Sequence, residues 1–99
     1  MESKESDFVD RTIYSQISEC VSILEIGCAD GKRLKNIRMK DLEPRKLVGI
    51  DPSQRAVAAG RMISPELDLR VGTADSLPKD EVFDSVILGF AFISVTEIY

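Results

Sequence analysis

Val21-Ser22-Ile23-Leu24-Glu25-Ile26-Gly27-Cys28-Ala29-Asp30-Gly31 is the stretch on which the fold turns. Residues 21–26 are short, apolar and β-branched and stop at a glycine, which predicts a buried strand. Residues 27–31 form a loop, and Leu34 and Ile37 beyond it share one face of a helix. Glycine at such a turn permits positive φ and lets a ligand approach the backbone with no Cβ in the way.

The pattern repeats outward from this unit. The helix after Gly31 should end before Pro44, because the residue preceding a proline disfavours helical backbone. Leu47-Val48-Gly49-Ile50 is a second strand that ends at Asp51, and Pro52-Ser53 opens a further helix. Ala56, Val57, Ala59, Gly60 and Ile63 give that helix its packing positions, and Pro65 stops it. Residues 67–71 alternate apolar and charged, as in a strand nearer the sheet edge. Residues 72–80 are rich in turn formers, with room for a short helix near Pro78. Residues 83–92 are the most hydrophobic stretch and predict a central strand. Upstream, Val9, Ile13 and Ile17 fall four apart, with Phe8 and Cys20 beside them, so the chain begins with an amphipathic helix.

Strands alternating with helices imply parallel pairing through right-handed crossovers, an open α/β sheet. Ligands of such sheets bind beyond the carboxyl ends of the strands, where the strand order reverses. That rim holds residues 27–31, Asp51, residues 73–77 and residues 89–92. Asp51 ends the second strand twenty residues after Gly31, where a carboxylate can accept both hydroxyls of a ribose. Capping of the next helix is the plainer role for it. Asp75 can accept from an exocyclic amine such as that of adenine, or simply order its turn. Asp30 either caps the following helix or leaves the neighbouring amides to face a ligand carboxylate. A tight turn that binds nothing also fits Gly27 and Gly31. Three rim features on three successive strands carry more weight than any one of them.

Composition narrows the classes. Ninety-nine residues make one domain with a small core, 43% hydrophobic and 30% charged. Thirteen Lys and Arg against seventeen Asp and Glu give a net charge of −4, which offers no global attraction to nucleic acid or anionic lipid. Lys32, Arg33, Lys35, Arg38, Lys40, Arg45 and Lys46 concentrate in one stretch, read as a solvated helix face ahead of an RNA or acidic-partner surface. Cys20 and Cys28 lack metal-ligand spacing and the chain has no histidine, so no metal site is expected. A disulfide stays open, and two reduced thiols in the cytosol is the plainer reading. No apolar run nears the ~20 residues that span a bilayer. Met1-Glu2-Ser3-Lys4-Glu5 lacks a signal-peptide core, so a cytoplasmic, soluble protein is expected.

Residues 21–90 resemble the S-adenosylmethionine-binding core of the class I methyltransferases, which have a Rossmann-like fold. Leu24-Glu25-Ile26-Gly27-Cys28-Ala29-Asp30-Gly31 is similar to that family's first motif, acidic–x–Gly–x–Gly–x–Gly. Val48-Gly49-Ile50-Asp51-Pro52-Ser53 is similar to the second, with Asp51 in the ribose-binding place. Gly72-Thr73-Ala74-Asp75-Ser76-Leu77-Pro78 is similar to the third, with Asp75 next to the adenine, and Phe83-Asp84-Ser85-Val86-Ile87-Leu88-Gly89-Phe90 to the fourth, beside the methyl donor.

The resemblance implies a three-layer αβα sheet in strand order 3-2-1-4, with only the first four of the family's seven strands present. It implies one partial domain over residues 1–99, an N-terminal helix over 1–20 and a cofactor-binding core over 21–99. The implied cofactor is S-adenosylmethionine, with S-adenosylhomocysteine as product. The implied contacts are Glu25, Gly27, Cys28, Ala29, Gly31, Asp51, Pro52, Ala74, Asp75, Ser76, Gly89 and Phe90. Methyl transfer from a sulfonium is an in-line displacement governed by positioning, so no catalytic residue is assigned. Asp84 is read as structural.

Two departures from the family pattern matter. Ala29 stands in place of the middle glycine, and set against the family pattern the strands that complete the sheet and substrate pocket are expected to be absent from this chain. The fourth strand would then be an open edge, which invites pairing with a second copy or a partner chain. The expected activity is methyl transfer to an unidentified acceptor, by this chain or by an enzyme of which it is the cofactor-binding portion. The alternative is a non-catalytic binding or scaffolding module. A nicotinamide-dependent dehydrogenase is disfavoured, because the spacing here is Gly27-x-Ala29-x-Gly31.

Overall fold

Strand β1, Ser22–Ile26, carries three buried residues in succession, Ile23, Leu24 and Glu25. Consecutive residues of a strand point to opposite faces, so β1 is covered on both sides and lies inside the sheet. The computed structural model describes Arg11, Ile13, Ser15, residues 20–40 and 45–89, and the backbone of residues 93–96. The expected N-terminal helix is seen at Arg11, Ile13 and Ser15, with Ile13 buried in the core. Phe8, Val9 and Ile17 lie outside the described residues.

Strands β2, Lys46–Asp51, and β4, Ser85–Leu88, flank β1 in parallel, and β3, Asp68–Val71, pairs in parallel with β2. The four parallel strands therefore take the order 3-2-1-4. Their register sets Ile26 level with both Ile50 and Leu88, so Gly27, Asp51 and Gly89 emerge at one rim.

A fifth strand departs from expectation. The hydrophobic run 83–92 is not one strand: β4 stops at Leu88 and the chain returns antiparallel as β5, Ile93–Thr96, with Leu88 opposite Ile93 and Ser85 opposite Thr96. The outer edge of β4 is thus paired within the chain, and the expectation of an open edge that recruits a second copy or a partner is corrected. A reversal over a few residues brings local backbone to that edge at little cost in loop closure.

Helix α1, Lys32–Lys40, buries Leu34 and Ile37, and helix α2, Gln54–Ile63, buries Val57 and Gly60. Both pack on the sheet face formed by Ile23, Leu47, Leu69 and Ile87. Ser53 starts α2, its Oγ accepting from Ala56 N at 3.1 Å. Gly60 lets α2 close on the loop after β1. A Cβ there would collide with the Asp30 carbonyl oxygen and lie 2.7 Å from Leu69 Cδ1.

The opposite face, Leu24, Val48, Ile50 and Val86, is packed by Leu77 and Phe83 of the β3-to-β4 crossover, residues 72–84. In place of a regular α-helix this crossover carries one 3₁₀ turn, Ala74–Ser76. Asp84 ties its end to β1. The carboxylate accepts from Val21 N at 2.7 Å and Ser22 N at 3.0 Å, which holds its pKa below the usual range. The structural reading of Asp84 therefore holds.

Alanine forms helix better than glycine by about 1 kcal/mol, so an open position 60 would gain stability from Gly60→Ala. The collision with Asp30 and Leu69 reverses the sign, and a loss of about 1–3 kcal/mol is expected in urea denaturation. A gain would contradict this packing.

Candidate functional site

The loop after β1 is hung on the end of β2. Gly27 N and Cys28 N both donate to Ile50 O, at 2.8 and 3.2 Å, and Gly31 N closes back on Cys28 O at 2.9 Å. Three of the five loop residues have positive φ: Gly27 at 78°, Ala29 at 52° and Gly31 at 81°. Ala29 occupies the left-handed region with a Cβ present, at a cost of roughly 1–2 kcal/mol. Its amide is the one that Asp51 Oδ2 accepts, at 2.9 Å.

Asp51 joins three loops. Oδ2 takes Ala29 N, Oδ1 takes Ser53 N at 2.8 Å, and the Asp51 carbonyl takes Gly72 N at 3.0 Å. The helix cap itself is Ser53, so Asp51 orders the approach to α2 without capping it. An ionised carboxylate offers about four lone-pair sites, and these two amides leave acceptor capacity for hydroxyls. The Asp30 alternative resolves towards capping, since its Oδ1 accepts from Lys32 N at 3.2 Å at the start of α1.

Glu25 lies beneath the loop, 2% exposed, with Arg33 Nη1 at 3.1 Å from its Oε2. Gly89 lets the end of β4 close on the same place. Its amide donates to Ile26 O at 2.7 Å, and a Cβ would collide with the Gly27 carbonyl oxygen and lie 2.7 Å from Glu25 Oε2. Glu25, Gly27 and Gly89 thus form one contact group, and Ala29, Asp51 and Ser53 another.

Ala74, Asp75 and Ser76 stand on the 3₁₀ turn, all exposed. Ser76 Oγ accepts from Thr73 N at 3.1 Å, which assigns that side chain to shaping the turn. Ala74 and Asp75 line a cavity of about 430 Å³ between crossover and sheet, walled by Leu24, Ile26, Leu77, Phe83 and Val86. A second hollow, also of about 430 Å³, lies between Ala29 and Asp30 of the loop and Ser53 and Ala56 of α2. The Gly72-to-Asp51 hydrogen bond connects the turn to the loop group. Pro52 is exposed between Asp51 and Ser53, and Phe90 lies outside the described residues.

Cys28 turns its thiol into the core against Gly49. Burial, aided by the Glu25 and Asp51 carboxylates, pushes that thiol up to about 12, so it stays protonated and offers no nucleophile. Ser53 and Arg33 are the residues that a reading of strand ends overlooks. Ser53 carries a visible signal, a serine ahead of a helix, whereas the Arg33 pairing depends on how α1 lies over β1.

A family model described as a methyltransferase domain matches residues 23–98. The chain belongs to the methyltransferase domain family. Solved structures agree in fold. The plantazolicin methyltransferase BpumL, in complex with a pentazolic desmethylPZN analog and SAH, is 24% identical with a TM-score of 0.69, over 88% of this chain and 36% of that one. SAM-bound CalS10, an amino pentose methyltransferase from Micromonospora echinaspora, is 20% identical with a TM-score of 0.65, again over 88% and 36%. The MccD protein is 20% identical with a TM-score of 0.70, over 84% and 40%. The chain thus spans little more than a third of the length of these structures. No curated protein matches it by sequence.

Among the described residues of this methyltransferase domain, no helix is long and apolar enough to cross a membrane, and no group of His, Cys, Asp or Glu is placed to hold a metal ion. With burial pushing the thiol of Cys28 up to about 12, its alkylation by iodoacetamide at pH 8 should be slower than in the urea-unfolded chain by on the order of 1000-fold. Peptide mass spectrometry reads the rate, and equal rates would contradict the burial.

Proposed function

We propose that this methyltransferase domain binds S-adenosylmethionine at the rim formed by β1, β2, β3 and β4, as the cofactor-binding portion of an enzyme that methylates a separate acceptor. The observation that carries this reading is the Asp51 carboxylate, which braces the glycine loop against α2 and retains acceptor capacity. Glu25, Gly27, Ala29, Gly31 and Gly89 would receive the amino-acid end of the cofactor, Asp51 the ribose hydroxyls, and Ala74 and Asp75 the adenine. The close approach at Gly89, which any Cβ would block, fits a backbone-lined cradle at that end.

The cofactor supplies a methyl group already activated on a sulfonium sulfur. The protein's part is to hold and orient. The left-handed loop is braced before any ligand arrives, so little ordering cost falls on binding. Glu25 lies buried beneath the loop, with the Arg33 guanidinium beside it. The acceptor substrate is a separate molecule of unassigned chemistry. Cys20 and Cys28, both thiols, suit a reducing, cytoplasmic setting.

Calorimetric titration of S-adenosylmethionine and S-adenosylhomocysteine into the chain tests the reading. Saturable one-to-one binding is expected, weakened at least about tenfold by Asp51→Ala, since each hydrogen bond to a charged group contributes about 1.5–3 kcal/mol. A folded chain that binds neither ligand would overturn it.

A further inference from the structure

The β3-to-β4 crossover is fixed at both ends and at one point between. Gly72 N meets Asp51 O at its start, and Asp84 takes the Val21 and Ser22 amides at its end. Between them stands Glu81. Arg70 of β3 presents Nη1 and Nη2 to its two oxygens at 2.6 and 3.0 Å, and Lys46 Nζ of β2 lies 2.8 Å from Oε2. Arg70 is braced in turn by Asp68, with Nε and Nη2 at 3.0 and 2.8 Å from its carboxylate. Lys46 also sits over the Phe83 ring, 4.9 Å from its centroid.

Isolated surface ion pairs contribute little to stability. This cluster differs in geometry. A planar guanidinium forked onto two carboxylates has one arrangement open to it, and Glu81 is mostly buried. Arg70 and then Lys46 hold the Glu81 carboxyl down at about 2, so it stays ionised in the clamp at neutral pH.

What the clamp holds is next to the site. Residues 74–77 lie between the Gly72 anchor and the Glu81 anchor. Their own hydrogen bonds, Ser76 N to Thr73 O and Leu77 N to Ala74 O, shape the turn but do not attach it to the sheet. Its place therefore depends on the two anchors together with the packing of Leu77 on the sheet. Glu81 and Asp75 also line the same cavity, from opposite ends of the turn-bearing segment.

We propose that the Arg70–Glu81 clamp is a positioning device for the adenine side of the site, fixing where Asp75 stands and so setting the preference for a base that carries an exocyclic amine. This rests on the cofactor reading above. Arg70 and Glu81 act through Asp75. Loss of the clamp frees residues 74–81 to shift, and Asp75 then ceases to discriminate one base from another.

The test titrates S-adenosylhomocysteine and S-inosylhomocysteine, whose base carries a carbonyl oxygen in place of the amine, into the full chain. Wild type, Glu81→Gln, Arg70→Ala and Arg70→Lys are compared by calorimetry. Wild type is expected to favour the amine-bearing ligand at least about tenfold, the scale of one hydrogen bond to a charged group. Glu81→Gln and Arg70→Ala should bring the ratio within about threefold by weakening S-adenosylhomocysteine alone, and Arg70→Lys should fall between. A merely structural role weakens both ligands by one factor and leaves the ratio unchanged, and that result overturns the proposal. Glu81→Gln is nearly isosteric and carries the test if Arg70→Ala fails to fold. Wild type that binds neither ligand would instead overturn the cofactor reading.

Discussion

The Asp51 carboxylate is the point on which the rim of this domain depends. It accepts one amide from the loop after β1 and one from the approach to α2, while its own carbonyl receives the start of the crossover. Three segments that leave three different strands are thereby held in one place. The parallel register makes this possible by bringing the carboxyl ends of β1, β2 and β4 level. It also explains why Ala29 is tolerated in left-handed backbone. The strain of roughly 1–2 kcal/mol is comparable with a hydrogen bond from that same amide to a charged acceptor.

Much of this was legible because it is local. β-Branched runs bounded by Gly27 and by Asp51 locate β1 and β2, and Pro52-Ser53 marks the entry to α2. The rim positions of Gly27, Asp51 and Asp75 follow from counting strand ends. The reversal beyond Gly89 was not legible, because residues 83–92 are apolar throughout and hydrophobic periodicity cannot show where such a run folds back.

Charge pairing was the other hidden layer. The basic stretch from Lys32 to Lys46 reads as a solvated face, yet Arg33 reaches buried Glu25, Arg38 Nη2 donates to Arg45 O at 3.0 Å, and Lys46 meets Glu81. The Lys46–Glu81 pairing joins segments brought together by the fold and not by spacing along the chain. Cys28 is a related case. The motif places it in the loop, and the packing against Gly49 sends its thiol inward, where it fills space and stays neutral. One sheet face is covered by helices α1 and α2 and the other by a crossover held by ion pairs, so charge does on that side part of what apolar burial does on this one.

The measurement that bears most directly on the account is the amide NMR spectrum of the ¹⁵N-labelled chain, recorded with and without S-adenosylhomocysteine. Shifts concentrated at Gly27, Ala29, Ser53 and residues 74–77, with Lys35 and Lys40 on α1 unmoved, are the predicted result. Shifts confined to α1, or no shifts from a folded chain at saturating ligand, would contradict a cofactor rim organised by Asp51.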